Sequence, residues 1–179
     1  MSTTPPPAAY LPSTGGVDIT LRKAVGLGRT RLAAFDHALL GAGIADRNLI
    51  VLSSVIPPGS QIRLVEDVEA EPIGGGHGDR LFCVLAAAYA EAPGQEAWAG
   101  IGWVVDDATG AGLFVEHVAT SEAELEHLIH ATLGDMVVNR GGGYGPVQTL
   151  TTSATFVDRP TAALTVAAYT TIPWSTDVR

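Results

Sequence analysis

The sequence predicts a single α+β domain built as a four-layer αββα sandwich. About seven strand-like segments are interrupted by two long helical segments, which is typical of helices that cover the faces of sheets. The strand-like segments are rich in alanine, valine and glycine, which suits two sheets packed closely together. No internal repeat or second domain is apparent in the 179 residues.

Composition excludes several classes of function. Ten basic residues stand against nineteen acidic ones, giving a net charge of −9, and no basic run is present, so a nucleic-acid partner is not expected. No apolar stretch approaches the roughly 18 residues of a membrane-spanning helix. Cys83 is the single cysteine, which excludes a disulfide framework, and the Pro-rich start does not resemble a signal peptide. We therefore expect a cytoplasmic protein without a membrane partner.

Periodicity and turn residues place the elements along the chain. Residues 1–14 form a Pro-rich stretch that we interpret as a flexible arm, and residues 15–179 form the domain. The predicted strands are 18–25, 48–54, 81–90, 97–105, 113–118, 148–157 and 162–169. The three central strands, which follow the glycine-rich loop at 74–78, are interpreted as a meander.

Two helices carry clear capping signals. Thr30 precedes apolar residues at helical spacing and is predicted to be the N-cap of a helix that ends at Gly41 and Gly43. The segment 121–124, Ser-Glu-Ala-Glu, is a capping box that begins a second helix, which ends at the glycines of 141–143.

Two adjacent serines end the predicted strand 48–54, just before Pro57-Pro58-Gly59. A strained strand end can hold the Ser54 hydroxyl against the Ser53 carbonyl, so that an N→O acyl shift forms an ester. β-Elimination and hydrolysis would then leave a pyruvoyl group, an electrophile made by the chain itself. From two serines alone, a polar strand end before a turn is the more common explanation.

The surrounding segment, residues 33–59, resembles the pyruvoyl-dependent arginine decarboxylases. The matching pieces keep the order and closely the spacing of the family; they are Ala34-Phe35-Asp36, Ala38-Leu39-Leu40, Ala42-Gly43-Ile44, Asn48-Leu49-Ile50, Ser53-Ser54 and Ile56-Pro57-Pro58. Residues 112–118, GLFVEHV, are similar to the family strand that carries an active-site glutamate, here Glu116.

The resemblance implies an activity and an assembly. The precursor would cleave itself between Ser53 and Ser54 into a β chain, 1–53, and an α chain, 54–179, which begins with a pyruvoyl group derived from Ser54. Domain 15–179 would then be a decarboxylase that converts L-arginine to agmatine and CO2 through a Schiff base. Family members are αββα sandwiches that assemble as trimers, with active sites at subunit interfaces.

Three further residues take roles from the resemblance. Glu116 shares a strand face with Phe114 and Val118, which favours burial and a pKa raised towards neutrality, as a general acid for decarboxylation requires. Asp36 matches the family aspartate that receives the guanidinium of arginine. Asn48 matches a site asparagine, whose amide would bind the Ser53 carbonyl or the pyruvoyl amide. The alternatives are a solvated strand glutamate, a helix-surface aspartate and a turn asparagine.

Other cofactors are not expected. Lys23 is the only lysine and lies beside Arg22 in an alternating, solvated stretch, so it is a poor anchor for pyridoxal phosphate (PLP). His127, His130 and Glu124 have spacing that can bind zinc, but no HExxH motif is present, and a solvated helix face is favoured. Two alternative functions remain: a pyruvoyl decarboxylase of another amino acid, and an unprocessed, non-catalytic trimeric scaffold.

Overall fold

A computed structural model describes residues 15–174. This part of the chain contains nine strands and two helices. In chain order they are β1 (Asp18–Leu27), α1 (Arg31–Gly41), β2 (Asn48–Val51), β3 (Val55–Ile56), β4 (Gln61–Leu64), β5 (Arg80–Ala90), β6 (Glu96–Val105), β7 (Gly112–Ala119), α2 (Glu122–Asn139), β8 (Gln148–Thr155) and β9 (Thr161–Ile172). Neither helix is long and apolar enough to cross a membrane.

The strands form two sheets, and each sheet is covered by one helix. The first sheet has the strand order β2-β5-β9-β1-β4, and the second has the order β3-β7-β6-β8. Helix α1 packs Ala34 and Ala38 on the first sheet, whereas α2 packs Ile129 and Leu133 on the second. Two further clusters of buried apolar side chains lie between the two sheets. The layer order is therefore αββα, which confirms the predicted fold class.

The interior between the sheets differs from one end to the other. One end is filled almost entirely by alanines of β5, β6, β8 and β9. The other end holds the large side chains of Trp103 and Phe114, whose rings lie 6.1 Å apart, together with Ile19 and Ile101. The aromatic end is also the end at which β3 joins the second sheet beside Phe114.

Local sequence determines how each helix begins. The Thr30 hydroxyl accepts a hydrogen bond from the Ala33 N–H, and the Ser121 hydroxyl accepts one from the Glu124 N–H, as predicted. The Glu124 carboxylate turns back to the N–H of Thr120, one residue before the cap. Helix α2 can lie close to β6 because Gly102 of β6 has no side chain. A Cβ at that position would lie 2.2 Å from Ile129 Cγ2 of the helix.

Three predictions about strands were wrong. The strand predicted over 48–54 ends at Val51, and the two short strands β3 and β4 were missed because they lie on either side of Pro57-Pro58-Gly59. The predicted meander does not form, because β5 pairs with β2 and β9 in the first sheet while β6 and β7 form a hairpin in the second. Alternation identifies strands, but it does not assign them to sheets.

The expectation of a solvated stretch around Lys23 was only half right. Lys23 is exposed, but Arg22 is 1% exposed and lies on the outer face of the first sheet. Its guanidinium donates hydrogen bonds to the carbonyl oxygens of Ala42, at the end of α1, and Glu71. Burial lowers the pKa of Arg22, although the carboxylate of Glu71 opposes that shift. Arg22 thus ties the end of α1 to the loop before β5.

Candidate active site

The Ser53–Ser54 peptide lies where the chain crosses from one sheet to the other. On the first sheet, the Leu52 N–H donates to the Cys83 carbonyl oxygen at 2.9 Å. On the second sheet, the Phe114 N–H donates to the Ser54 carbonyl oxygen at 2.8 Å. The peptide between the two serines therefore spans the gap between two anchored points, instead of ending a strand as the sequence predicted.

The backbone of Ser54 is left-handed. Its φ is +67°, and it is the single residue other than glycine with a positive φ between residues 15 and 174. This conformation costs an L-residue about 1–2 kcal/mol because Cβ approaches the following carbonyl oxygen. Ser54 is 7% exposed, whereas Ser53 is exposed to solvent. Strain at a buried polar residue of this kind is concentrated at functional sites.

Glu116 lies against the hydroxyl of Ser54. The Ser54 Oγ donates a hydrogen bond to Glu116 Oε2 at 2.8 Å. The alternation of β7 produces this contact, because Phe114 and Glu116 point into the space between the sheets while Leu113 and Val115 pack against α2. The strand parity predicted from the sequence is confirmed, and the structure brings Ser54 and Glu116 together.

Sequence reasoning missed a third side chain at the crossing. Tyr169 lies on β9, and its hydroxyl donates to the Val55 carbonyl oxygen at 3.1 Å, one residue after Ser54. Its ring meets that of Phe114 edge-on, with the centroids 6.2 Å apart. Burial, followed by the nearby charge of Glu116, raises the pKa of Tyr169, so the hydroxyl keeps its proton. The signal in the sequence was weak: one aromatic residue at the end of an alanine-rich strand.

Asp36 lies in a different part of the same chain. It is exposed on α1 beside a cavity of about 490 Å³ whose lining is mostly apolar, with Leu32, Phe35 and Leu39 among the lining residues. Glu116 lines a separate cavity of about 280 Å³ formed with β5 and the end of β7. Within one chain, therefore, Asp36 and the Ser54–Glu116 pair do not share a cavity.

Asn48 makes a contact other than the predicted one. Its side-chain amide donates to the Gly78 carbonyl oxygen at 2.6 Å, and its backbone N–H donates to Asp79 at 2.8 Å. Asn48 is thus joined to the end of the glycine-rich loop and not to the Ser53 carbonyl. Its role at the active site stays a prediction.

Acidic and histidine side chains do not gather into a metal site in the described residues 15–174. The Glu124 carboxylate binds the N–H and hydroxyl of Thr120, and His130 lies 3.6 Å from Glu126. The zinc alternative raised by the spacing of His127, His130 and Glu124 therefore has no support in the geometry. The lone Cys83 is buried, and burial raises the pKa of its thiol to about 11.

Fold and site together define a class of protein. The chain is an αββα sandwich in which a strained serine crosses between the sheets and donates to a carboxylate, as expected of a lyase that makes its reactive carbonyl from its own backbone.

Comparison with known proteins identifies the family. The model of the pyruvoyl-dependent arginine decarboxylase family matches residues 18–172. Pyruvoyl-dependent arginine decarboxylase of Thermococcus kodakarensis is 33% identical over 140 residues, covering 78% of this chain and 85% of the relative. The enzyme of Pyrococcus furiosus is 31% identical over 163 residues, covering 87% of this chain and 98% of the relative. The enzyme of Halobacterium salinarum is 32% identical over 146 residues, covering 80% of this chain and 88% of the relative. The chain belongs to the pyruvoyl-dependent arginine decarboxylase family, which confirms the resemblance.

As a member of this family, the chain is a decarboxylase whose cofactor is a pyruvoyl group and not PLP. The residues fit that group. A pyruvoyl group consists of the carbonyl carbon, Cα and Cβ of the serine that forms it, so it takes no more room than Ser54 itself. The Phe114 N–H already holds the carbonyl oxygen of residue 54, and the Glu116 carboxylate lies beside the side-chain position.

Proposed function

We propose that the chain cleaves itself between Ser53 and Ser54 and then decarboxylates L-arginine to agmatine and CO2. The observation that carries the proposal is the 2.8 Å hydrogen bond from the Ser54 hydroxyl to Glu116 at a left-handed residue. The substrate follows the names of the relatives, which are all arginine decarboxylases.

Cleavage begins at the hydroxyl of Ser54. Glu116 takes its proton while Oγ attacks the Ser53 carbonyl carbon. The C–N bond then breaks as Glu116 returns the proton to the nitrogen, which leaves an ester and a free amine on Ser54. The Ser54 Cα next loses its proton and the Cβ–Oγ bond breaks, which releases Ser53 as a carboxylate. Water adds to the dehydroalanine at position 54 and ammonia leaves. The exposure of Ser53 favours the release of this carboxylate, because the charge forms in contact with solvent.

Glu116 then serves the decarboxylation itself. A pyruvoyl group at residue 54 would supply an electron sink for the C–C bond that breaks. The substrate carbon that loses CO2 must be protonated, and Glu116 is the acidic side chain beside residue 54 that can deliver the proton.

We further propose that the working enzyme is a homotrimer in which Asp36 of a neighbouring copy binds the substrate guanidinium. Open sheet edges support this. In the described chain, β2 pairs with only residues 80–83 of β5, and β3 pairs with only residues 112–113 of β7. The remaining edges lie beside Glu116 and expose Val118. A second copy covering them would hide exposed strand edges. Asn48 would act in the same composite site.

Two alternatives make different predictions. A pyruvoyl decarboxylase of another amino acid would cleave itself but would not require Asp36. A non-catalytic trimeric scaffold would stay whole. The intact Ser54–Glu116 contact favours an enzyme over the scaffold, because a scaffold has no use for a strained serine beside a carboxylate. A cytoplasmic location remains part of the proposal, supported by the single buried cysteine.

The experiment is a substrate screen on purified protein. Borohydride reduction should label the α chain at residue 54, and CO2 release should be measured with arginine, ornithine, lysine and histidine. We expect arginine to give the highest kcat/KM. A reducible carbonyl with equal or greater turnover of another amino acid would overturn the assignment of arginine, and the absence of a reducible carbonyl would overturn the enzyme.

A further inference from the structure

Besides the bond from Ser54 to Glu116, three hydrogen bonds hold the crossing segment, and they are distributed unevenly about the Ser53–Ser54 bond. The Leu52 N–H anchors the N-terminal side on the first sheet. Two bonds anchor the C-terminal side: the Phe114 N–H binds the Ser54 carbonyl oxygen, and the Tyr169 hydroxyl binds the Val55 carbonyl oxygen at 3.1 Å. The Tyr169 bond joins a side chain of the first sheet to the backbone of the second.

This bond matters most once the chain is cut, so the inference rests on the proposed function. The α chain then begins at residue 54, and its first strand, β3, has only two residues, paired with the end of β7. In that strand Ile56 is anchored by its buried side chain, whereas Val55 is exposed and lies next to the free chain end. The Tyr169 hydroxyl binds the backbone of Val55 directly, at the end of the strand nearer residue 54.

We propose that Tyr169 is a positioning residue that holds the Val55 carbonyl and thereby keeps residue 54 against Glu116, before and after cleavage. The ring of Tyr169 adds to this, because it packs edge-on against Phe114, the residue whose N–H binds residue 54. Loss of the hydroxyl frees the Val55 peptide to rotate, and this rotation moves the reactive atoms of residue 54 relative to the Glu116 carboxylate.

The test is Tyr169→Phe, which keeps the ring and its packing and removes only the hydroxyl. We expect self-cleavage to slow about five- to tenfold, as one lost hydrogen bond predicts. In fully cleaved protein we expect kcat per borohydride-reducible carbonyl to fall by a similar factor, while KM for arginine stays within about twofold of the unaltered protein, because the side-chain contacts of the substrate are untouched.

Tyr144→Phe is the matched control. Tyr144 is half-buried against the core under α2, and its hydroxyl makes no hydrogen bond within residues 15–174. It should cleave and turn over at the rates of the unaltered protein.

Three outcomes distinguish the positioning role of Tyr169 from the proposed function of the chain. If Tyr169→Phe cleaves and turns over like the control, the positioning role is overturned while the proposed function stands. If it only melts at a lower temperature, with kcat per carbonyl unchanged, its role is merely structural and the inference is equally overturned. If the unaltered protein never cleaves, the proposed function fails, and the inference fails with it.

Discussion

Two residues of this chain have almost the same left-handed backbone but very different side chains. Gly110, in the turn between β6 and β7, has a φ of +69°, and Ser54 has a φ of +67°. At Gly110 a Cβ would lie 2.9 Å from the Gly59 nitrogen, so glycine is required both by φ and by space. The turn obeys the ordinary rule that a left-handed position takes glycine.

Ser54, which lies beside Glu116, is the exception to that rule: its backbone is left-handed, yet it is not glycine. Its left-handed backbone costs about 1–2 kcal/mol of conformational free energy, which a glycine at this position would remove. The difference between the two sites is the hydroxyl, which donates to Glu116 at 2.8 Å. A turn that only reverses the chain uses glycine; under the proposed function, Ser54 keeps its side chain and the strain because its hydroxyl is the nucleophile of self-cleavage. The four changes that follow test this comparison.

Replacing Ser54 by glycine should have the largest effect. Ser54→Gly makes the two left-handed positions alike, and it removes the hydroxyl, so we expect no cleavage at all. The free energy of unfolding should change little, since relief of about 1 kcal/mol of backbone strain offsets one lost hydrogen bond. Denaturing electrophoresis and urea unfolding measure the two quantities. Ser53→Ala, which keeps the Ser54 hydroxyl, is the control and should still cleave; a cleaved Ser54→Gly chain would refute the role of the hydroxyl.

Glu116→Gln should reduce decarboxylation by roughly 10²- to 10⁴-fold, the usual size of a general-acid contribution. Glutamine still accepts a hydrogen bond from Ser54 but cannot take its proton, so processing should be slowed. The measurement is CO2 release per borohydride-reducible carbonyl. Full activity in this variant would eliminate Glu116 as the acid.

Asp36→Asn should raise KM for arginine about tenfold or more, because a neutral amide replaces a charge-assisted pair of hydrogen bonds. Self-cleavage should proceed at the rate of the unaltered protein, since Asp36 and Ser54 lie at different cavities of one chain. Asp135→Asn, an exposed carboxylate on α2, is the matched control. Unchanged arginine kinetics in Asp36→Asn would disprove the specificity assignment.

Gly110→Ala should have the smallest effect and act on stability alone. Its added Cβ is strained by φ and crowded by Gly59, and we expect a loss of about 1–3 kcal/mol in the free energy of unfolding. Gly94→Ala provides the comparison, because Gly94 is also left-handed but has open space around it, so it should lose less. Cleavage at Ser54 should continue in both. Equal losses would show that contact with Gly59 adds nothing to the strain.

Much of the fold follows from the sequence because local patterns determine it. The caps at Thr30 and Ser121, and the parity that turns Glu116 inward, depend on near neighbours in the chain and were predicted. The assignment of β5 to the first sheet was not predicted, since it depends on pairing with β9, some eighty positions later in the chain.

The site could be predicted only in part. The resemblance identified Ser54 and Glu116, which the structure brings together. It did not indicate the left-handed backbone of Ser54, because that φ results from anchoring on two sheets at once. Tyr169 was missed because its partner is a backbone carbonyl 114 positions away, which leaves no local pattern. The roles of Asp36 and Asn48 stay predictions, because within one chain neither residue contacts Ser54 or Glu116.

The most direct test is the intact mass of freshly purified protein, followed over time. We predict that the full-length mass disappears and that two chains replace it, residues 1–53 and residues 54–179, the second beginning with a ketone in place of the amine of Ser54. A full-length mass that persists without change under native conditions would contradict the account.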